Sequence, residues 1–294
     1  MTRLPMLVED DVPESPLYMH TVMCQTSLPY RDPSVREWER TNGRVSIKIY
    51  AGEAWDSDQG RWVAAGLPFG PKPRLLLAHI NREALIQQSP IVDVERSLTA
   101  FVRGVGLHTS GRNIRVVRDQ LIRLSAASMT LGFGLPDGRS VTVKTTGVVE
   151  AFELWSQPDD STQRALWPST VRLSPEYYRS LIDHAVPLAD RALAALAHSA
   201  MGLDVYAWLA QRLHRINQPS FVSWVRLQEQ FGAGYERIDN FRVVFRRTLS
   251  QVQAEYQAAD ITVDKHGMTL RHSPPPVAPR SVNGPVGDPI TGCG

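Results

Sequence analysis

The chain has 294 residues, of which 43% are hydrophobic and 21% are charged, and its formal net charge is +2 at pH 7. A charge this small gives no overall electrostatic reason to expect nucleic acid, so any such case must rest on local clusters of basic residues. No apolar run approaches the roughly 20 residues that span a bilayer, and the N-terminus lacks the layout of a signal peptide. We therefore expect a cytoplasmic protein that does not cross a membrane.

The two cysteines, Cys24 and Cys293, lie far apart and neither belongs to a CxxC pair. This usage predicts a reducing compartment, no metal site and no cofactor. Both cysteines are expected to lie in weakly ordered regions of the chain.

Residues 1–66 are expected to form an N-terminal arm that carries one β-hairpin. The arm begins with scattered prolines and an acidic run, which are typical of a loosely packed segment. Alternating apolar residues at 45–49 predict a strand, and a second strand at 61–66 is expected to pair with it across the turn at 56–60.

Residues 67–156 are expected to form a first domain. Its predicted elements are, in chain order, a Pro/Gly connector at 67–73, helices at 73–88, 97–105 and 111–124, a short strand at 91–94 between the first two helices, and a hairpin of strands at 128–135 and 139–154. This order is the plan of a winged helix, a helix-turn-helix variant to which a β-hairpin is appended.

The helix at 111–124 has two faces of opposite character. Ile114, Val117, Leu121 and Leu124 fall within one apolar stripe, whereas arginines occupy the far side. Residues 97–150 contain seven basic and three acidic residues, so local charge is concentrated around this helix. Such a face is more often a solvated surface than a binding site, but its position before a predicted hairpin favours contact with DNA phosphates.

Residues 165–273 repeat the same order of elements and are expected to form a second domain. A strand end at 171–173 and a helix at 174–184 come first. The repeated elements then are helices at 188–216 and 224–231, a third helix at 237–256, a short strand at 221–223, and a hairpin of strands at 261–264 and 268–272. The predicted fold class is therefore α+β, with two tandem winged-helix domains, the N-terminal hairpin arm, and a disordered Pro/Gly-rich tail at 274–294.

The candidate DNA contacts are the polar residues of the two third helices and of the two hairpins. Arginines at the front of each third helix suit guanine O6 and N7, and the hairpin residues suit phosphates or the minor groove. The third-helix candidates are Arg112, Asn113, Arg115, Arg118 and Arg123 in the first domain, and Arg237, Asn240, Arg242, Arg246 and Arg247 in the second. The hairpin candidates are Arg139, Lys144, Lys265 and Arg271.

Between about residues 67 and 276 the sequence also resembles the plasmid-encoded RepA family of replication initiators. The stretches that carry the resemblance are Gly66–Leu75, Ser97–Phe101, Gly111–Ile114, Leu166–Ser174, Leu193–Met201, Asp204–Leu213 and Thr269–Pro276. The resemblance implies a protein that binds repeated double-stranded sequences (iterons) at a plasmid origin and promotes opening of the duplex. It also implies recruitment of host replication proteins, such as the initiator DnaA and the replicative helicase, and a possible homodimer.

Two other classes of function were weighed against a replication initiator. A sequence-specific repressor of its own operon would use the same helices, and it stays open as the alternative. A helicase or nicking enzyme is disfavoured, because the sequence contains neither a GxxxxGK[ST] phosphate loop nor a His-x-His pair beside Tyr177 and Tyr178. We expect no catalytic residues and no enzymatic activity.

Overall fold

The computed structural model describes residues 16–56, 59–93, 102–104, 106–134, 139–145, 149–152 and 170–277. The chain has an α+β fold in which one continuous apolar core runs through all of these segments. Most of the helix expected at 97–105, the turn at 136–138 and most of the expected tail lie outside the described residues.

The described segments contain eight α-helices and fourteen strands that are used below. The helices are α1 (Thr21–Gln25), α2 (Pro71–Gln87), α3 (Gly111–Ala126), α4 (Pro175–His184), α5 (Asp190–Ala195), α6 (Ala200–Arg212), α7 (Trp224–Phe231) and α8 (Ile238–Glu255). The strands are β1 (Leu17–His20), β2 (Glu37–Asn42), β3 (Val45–Tyr50), β4 (Glu53–Asp56), β5 (Arg61–Ala64), β6 (Ile91–Asp93), β7 (Ser128–Gly134), β8 (Ser140–Thr145), β9 (Val149–Phe152), β10 (Thr170–Leu173), β11 (Ala185–Leu188), β12 (Ser220–Ser223), β13 (Ile261–Val263) and β14 (Gly267–Leu270).

The second module, which runs from α6 to β14, has the order of elements that the sequence predicts, although the helix expected at 188–216 is divided into α5 and α6. Its sheet is antiparallel in the order β12-β14-β13, so the last strand lies between the other two. Helix α8 packs against α6 and α7. The aromatic side chains of Trp224, Phe231, Phe241 and Phe245 contact one another beneath α8. This cluster fixes which face of α8 turns toward solvent.

The first module consists of α2, β6, α3, β9 and β10, and its sheet has the corresponding order β6-β10-β9. Strand β10 therefore pairs with strands of the first module, although the sequence analysis placed Val171–Leu173 at the start of the second. Long-range pairing decides this, because a short apolar strand carries no local signal of its partner. The two modules thus share one strand order, with the final strand in the centre.

The hairpin β7–β8, which was expected to belong to the first module, lies in a different sheet. It extends the N-terminal strands into a four-stranded antiparallel sheet in the order β2-β3-β7-β8. Ile47 and Ile49 of β3 and Met129 and Leu131 of β7 are buried on the same side of this sheet. The expectation that β7–β8 completes the first winged helix is wrong. The hairpins β2–β3 and β7–β8 each have an apolar face that must be buried, and they pair through β3 and β7 so that both faces cover the same side of the core.

The N-terminal segment is also built into the fold and is no separate arm. Strand β3 pairs with β2 and β7, whereas the expected partner at 61–64 pairs with β4 in a hairpin of its own. Strand β1 pairs with β11, and α1 packs against α6. Cys24, which was expected in a weakly ordered region, is only 1% exposed, and burial raises the pKa of its thiol.

One buried ion pair joins the two modules. The guanidinium of Arg74 in α2 makes two hydrogen bonds to the carboxylate of Asp204 in α6, at 2.6 Å and 2.8 Å. It also donates to the carbonyl oxygens of Gly70 and Leu28, at 2.6 Å and 2.8 Å. Both charged side chains are almost completely buried, at 4% and 7% exposure. The pair therefore holds the first module, the second module and the N-terminal segment together.

His20, at the end of β1, is a buried neutral histidine that should make the stability depend on pH. Its Nδ1 accepts from the backbone N–H of Val22, and its Nε2 lies 3.0 Å from Ser180 Oγ. Burial, and the nearby His184 ring, lower its pKa from 6.5 to about 3. Between pH 6.5 and about pH 3 the unfolded chain therefore binds a proton at His20 that the folded chain does not bind. The free energy of unfolding falls as the pH falls through this range.

We expect acidification from pH 7 to pH 5 to cost about 2 kcal/mol of unfolding free energy through His20. Urea titrations at the two pH values, compared between the natural chain and His20→Asn, measure this difference. The variant should lose most of that pH dependence, whereas His198→Gln, at an exposed histidine, should retain it. Equal pH dependence in the natural chain and His20→Asn would contradict the assignment.

Candidate nucleic-acid interface

Helices α3 and α8 occupy corresponding places in the two modules, and each buries one face. Ser110 caps α3 through its side chain, which accepts from the backbone N–H of Asn113. Val117, Leu121 and Leu124 then face the core. Each helix therefore presents exposed arginines to solvent, as the sequence predicts, whereas Gln120 of α3 and Thr248 of α8 are buried with the core-facing residues.

The outward surface of α8, called here the α8 face, consists of Asn240, Val243, Arg246 and Arg247. All four residues are exposed. Asn240, Val243 and Arg246 recur at spacings of three residues, and Arg247 follows Val243 by four, so they lie along one side of the helix, which exposed Asp239 shares. Arg237 is exposed at the start of α8, where its backbone carbonyl accepts from the N–H of Phe241. This side of the second module offers cationic, amide and apolar groups together.

The turn between β13 and β14 lies against the α8 face. Arg246 donates to the carbonyl oxygen of Asp264 at 2.7 Å, and its guanidinium lies 4.9 Å from the centre of the Trp224 ring. The indole N–H of Trp224 donates to the same carbonyl. Backbone N–H groups of His266 and Gly267 lower the pKa of the Asp264 carboxyl. These bonds fix the turn, so that exposed Lys265 lies next to α8 on the same side of the module.

Two other candidates of the second module are engaged within the protein. Arg242 is half-buried, lies 3.6 Å from the carboxylate of Asp239 and is stacked on Trp224. Arg271 bonds to the carboxylate of Asp260 at 3.1 Å and contacts the hydroxyl of Thr262. A DNA phosphate would have to displace these carboxylates, whereas Arg246 is held by a neutral carbonyl oxygen, so both are weaker candidates than Arg246 and the exposed Arg247.

The outward surface of α3, called here the α3 face, consists of Arg112, Arg115, Val116 and Arg118. All four residues are exposed. Asn113, by contrast, uses its side-chain amide to donate to the carbonyl oxygen of His108, which stabilises the start of the helix. The three arginines therefore remain as the cationic candidates of the first module.

Arg123 is a structural residue and should be removed from the predicted contacts. Its guanidinium bonds to the carboxylates of Asp119 and Asp32 and to the carbonyl oxygen of Leu67. It also lies 5.0 Å from the ring centre of Phe69, and its side chain is only 16% exposed. These contacts tie α3 to the connector at 67–70.

Arg139 and Lys144 lie away from the strands of the first module. Arg139 precedes β8, and Lys144 lies within β8 on the exposed face of the four-stranded sheet. On that face Lys144 neighbours Thr130, and Thr130 neighbours Lys48. Both residues remain exposed cations, but the premise that they flank α3 on its own hairpin is wrong.

The sequence analysis did not assign roles to two residues that shape this surface. Trp224 supports Arg242 and Arg246, and Val243 is 71% exposed at the centre of the α8 face. The sequence does contain a signal for Val243, because this valine falls among arginines and outside the apolar stripe of α8. Tyr177, weighed as a strand-nicking residue, is fully buried and bonds to Asn81 through its hydroxyl.

Two classes of site were sought in the described segments. No group of three or more His, Cys, Asp or Glu side chains there could hold a metal ion. None of the helices in those segments has the length and apolar character that a bilayer span requires.

Three comparisons place the chain among known proteins. The family model for plasmid-encoded RepA protein matches residues 67–225. A crystal structure of domains 2 and 3 of RctB is similar with a TM-score of 0.51 at 10% identity, over 83% of this chain and 94% of that one. A second structure of RctB domains 2 and 3 has a TM-score of 0.49 at 11% identity, over 85% and 94%. A search of curated protein sequences gave no match.

Proposed function

The chain belongs to the family of plasmid-encoded RepA proteins, and from this membership we propose that it is a plasmid replication initiator that binds double-stranded origin DNA. The two modules act as winged helices, and α3 and α8 are the helices that enter the major groove. The hairpin of the first winged helix is β9–β10, in place of the expected β7–β8.

One observation supports this proposal most strongly. Two modules with the same strand order each present a cationic helix, α3 or α8, before their last two strands, and the Arg74–Asp204 pair joins them within one core. Joined modules can occupy successive major grooves about one helical turn apart, which suits a site with two half-elements. Tethering also raises the effective concentration of the second module once the first has bound.

The finer parts of the proposal rest on family membership. We infer that the DNA is a set of repeated iterons, and that binding promotes opening of the adjacent duplex. DnaA and the replicative helicase are the proposed host partners, and a homodimer is the proposed second state. No catalytic step is assigned to any residue.

A replication assay tests the proposal directly. A plasmid that carries the cognate origin without this gene should replicate only when the chain is supplied from a second, compatible plasmid. Footprinting with the purified chain should show protection of repeated sequences within the same origin. Protection without replication would contradict initiation and would favour the alternative, a transcriptional repressor of its own operon.

A further inference from the structure

Val243 is the most exposed apolar residue of α8, well above its neighbour Val244, and it lies at the centre of the α8 face. Its side chain is 71% exposed, and Asn240 and Arg247 lie on the same side of α8. The core-facing positions of α8 are occupied by other residues, such as Phe241 and Phe245. Valine is a poor helix former, and here it is also left in water, so neither helix stability nor the core explains it.

The same short segment occurs in both candidate helices. Residues 113–117 are Asn-Ile-Arg-Val-Val, and residues 240–244 are Asn-Phe-Arg-Val-Val. The second residue of each segment, Ile114 or Phe241, packs against the core. The fourth residue is exposed in both, at 38% for Val116 and 71% for Val243. Each helix therefore presents a valine from the same place in a repeated segment.

The surroundings of the two valines indicate what covers them. Each has exposed arginines nearby, with Arg112 and Arg115 near Val116 and Arg246 and Arg247 near Val243, and the exposed carboxylate of Asp239, one turn before Val243, is paired with Arg242. Arginines around an apolar residue suit a DNA groove, because they can neutralise the phosphates that border it. Among the four bases, thymine alone presents a methyl group in the major groove, and apolar side chains recognise it by contact.

We propose that Val116 and Val243 are specificity-determining residues, each of which contacts the C5-methyl group of a thymine in the major groove. The proposal rests on the proposed function, because it requires α3 and α8 to enter that groove. It adds a base preference to each helix, and the repeated segment implies that the two half-elements of the site share a thymine at the corresponding position.

Removing one methyl group from the DNA tests this contact. Duplexes would first be selected from a random library with the full chain, and the selected duplex would then be synthesised with deoxyuridine at each thymine in turn. Deoxyuridine keeps the hydrogen bonds of thymine and lacks its methyl group. The natural chain should lose affinity about fourfold at each contacted thymine, as expected for one buried methyl group.

Val243→Ala should remove this sensitivity at one thymine, and Val116→Ala should remove it at the other. Val243→Thr, which retains one methyl group, should keep part of it. Ile182→Ala, at a 54% exposed residue of α4, is the matched control and should behave like the natural chain. Both valines are exposed, so these variants should fold, which circular dichroism would verify.

The outcomes separate this inference from the function on which it rests. Selection that enriches no sequence would overturn the proposed function and the inference together. A selected duplex that binds equally well with thymine or deoxyuridine would overturn the inference alone. The inference would also be overturned if Val116→Ala and Val243→Ala both lost as much affinity as the natural chain when deoxyuridine replaces thymine.

Discussion

Replacing Asp204 by alanine should lower the free energy of unfolding by about 3–5 kcal/mol, because it leaves the charge of Arg74 buried without its partner. Arg74 makes two hydrogen bonds to this carboxylate at 2.6 Å and 2.8 Å, and both side chains are almost completely buried. Urea unfolding followed by circular dichroism measures the change. Asp183→Ala, at an exposed carboxylate of α4, should change stability far less.

A second variant distinguishes a lost ion pair from a lost side chain. Arg74→Met together with Asp204→Leu removes both buried charges and keeps the site filled, so it should recover part of the stability that Asp204→Ala loses. Recovery should be incomplete, because the carbonyl oxygens of Gly70 and Leu28 then lose their donor. A loss below 1 kcal/mol for Asp204→Ala would show that this pair does not hold the modules together.

Replacing Arg115 and Arg246 by alanine should weaken binding to the cognate duplex by about 1–3 kcal/mol for each residue. Arg115 is exposed on the α3 face. The guanidinium of Arg246, on the α8 face, is held in place by the carbonyl oxygen of Asp264 and the ring of Trp224. Pre-positioned guanidiniums suit the paired acceptors of guanine. Gel-shift titrations of each single variant and of the double variant, at one fixed salt concentration, measure the loss.

The comparison duplex determines how this loss is interpreted. Base contacts predict a larger loss on the cognate duplex than on an unrelated duplex of the same length. Arg179→Ala removes a cation that is 72% exposed on α4 and is the charge-matched control. Equal losses on the two duplexes would assign Arg115 and Arg246 to phosphate contact.

The sequence predicted those parts of the fold that are encoded locally. The apolar stripe of α3, the order of elements along the second module and the exposed arginines of both helices follow from periodicity and from turn residues. The RepA family is confirmed over residues 67–225. These features depend on neighbours within a few residues, which a single sequence displays directly.

The parts that were missed depend on contacts between distant residues. The sequence predicts β7–β8 as a hairpin. The strand with which β7 pairs, β3, is separated from it along the chain by helices α2 and α3. Arg123 resembles the other arginines of α3 in sequence, and its contacts with the distant residues Asp32, Leu67 and Phe69 separate it from them. The Arg74–Asp204 pair joins residues 130 positions apart. Neither composition nor spacing can indicate such partners.

On the proposed function, in which both modules bind origin DNA, the Arg74–Asp204 pair has a consequence for the geometry of the origin. Because a buried joint fixes α3 relative to α8, the protein has little freedom to follow a change in spacing between two half-elements. Each inserted base pair rotates the second half-element by about 34°, so a single insertion should abolish two-module binding. Where a natural spacing departs slightly from this angle, the duplex has to twist to match the protein. Torsional strain of that kind would favour strand separation beside the bound site.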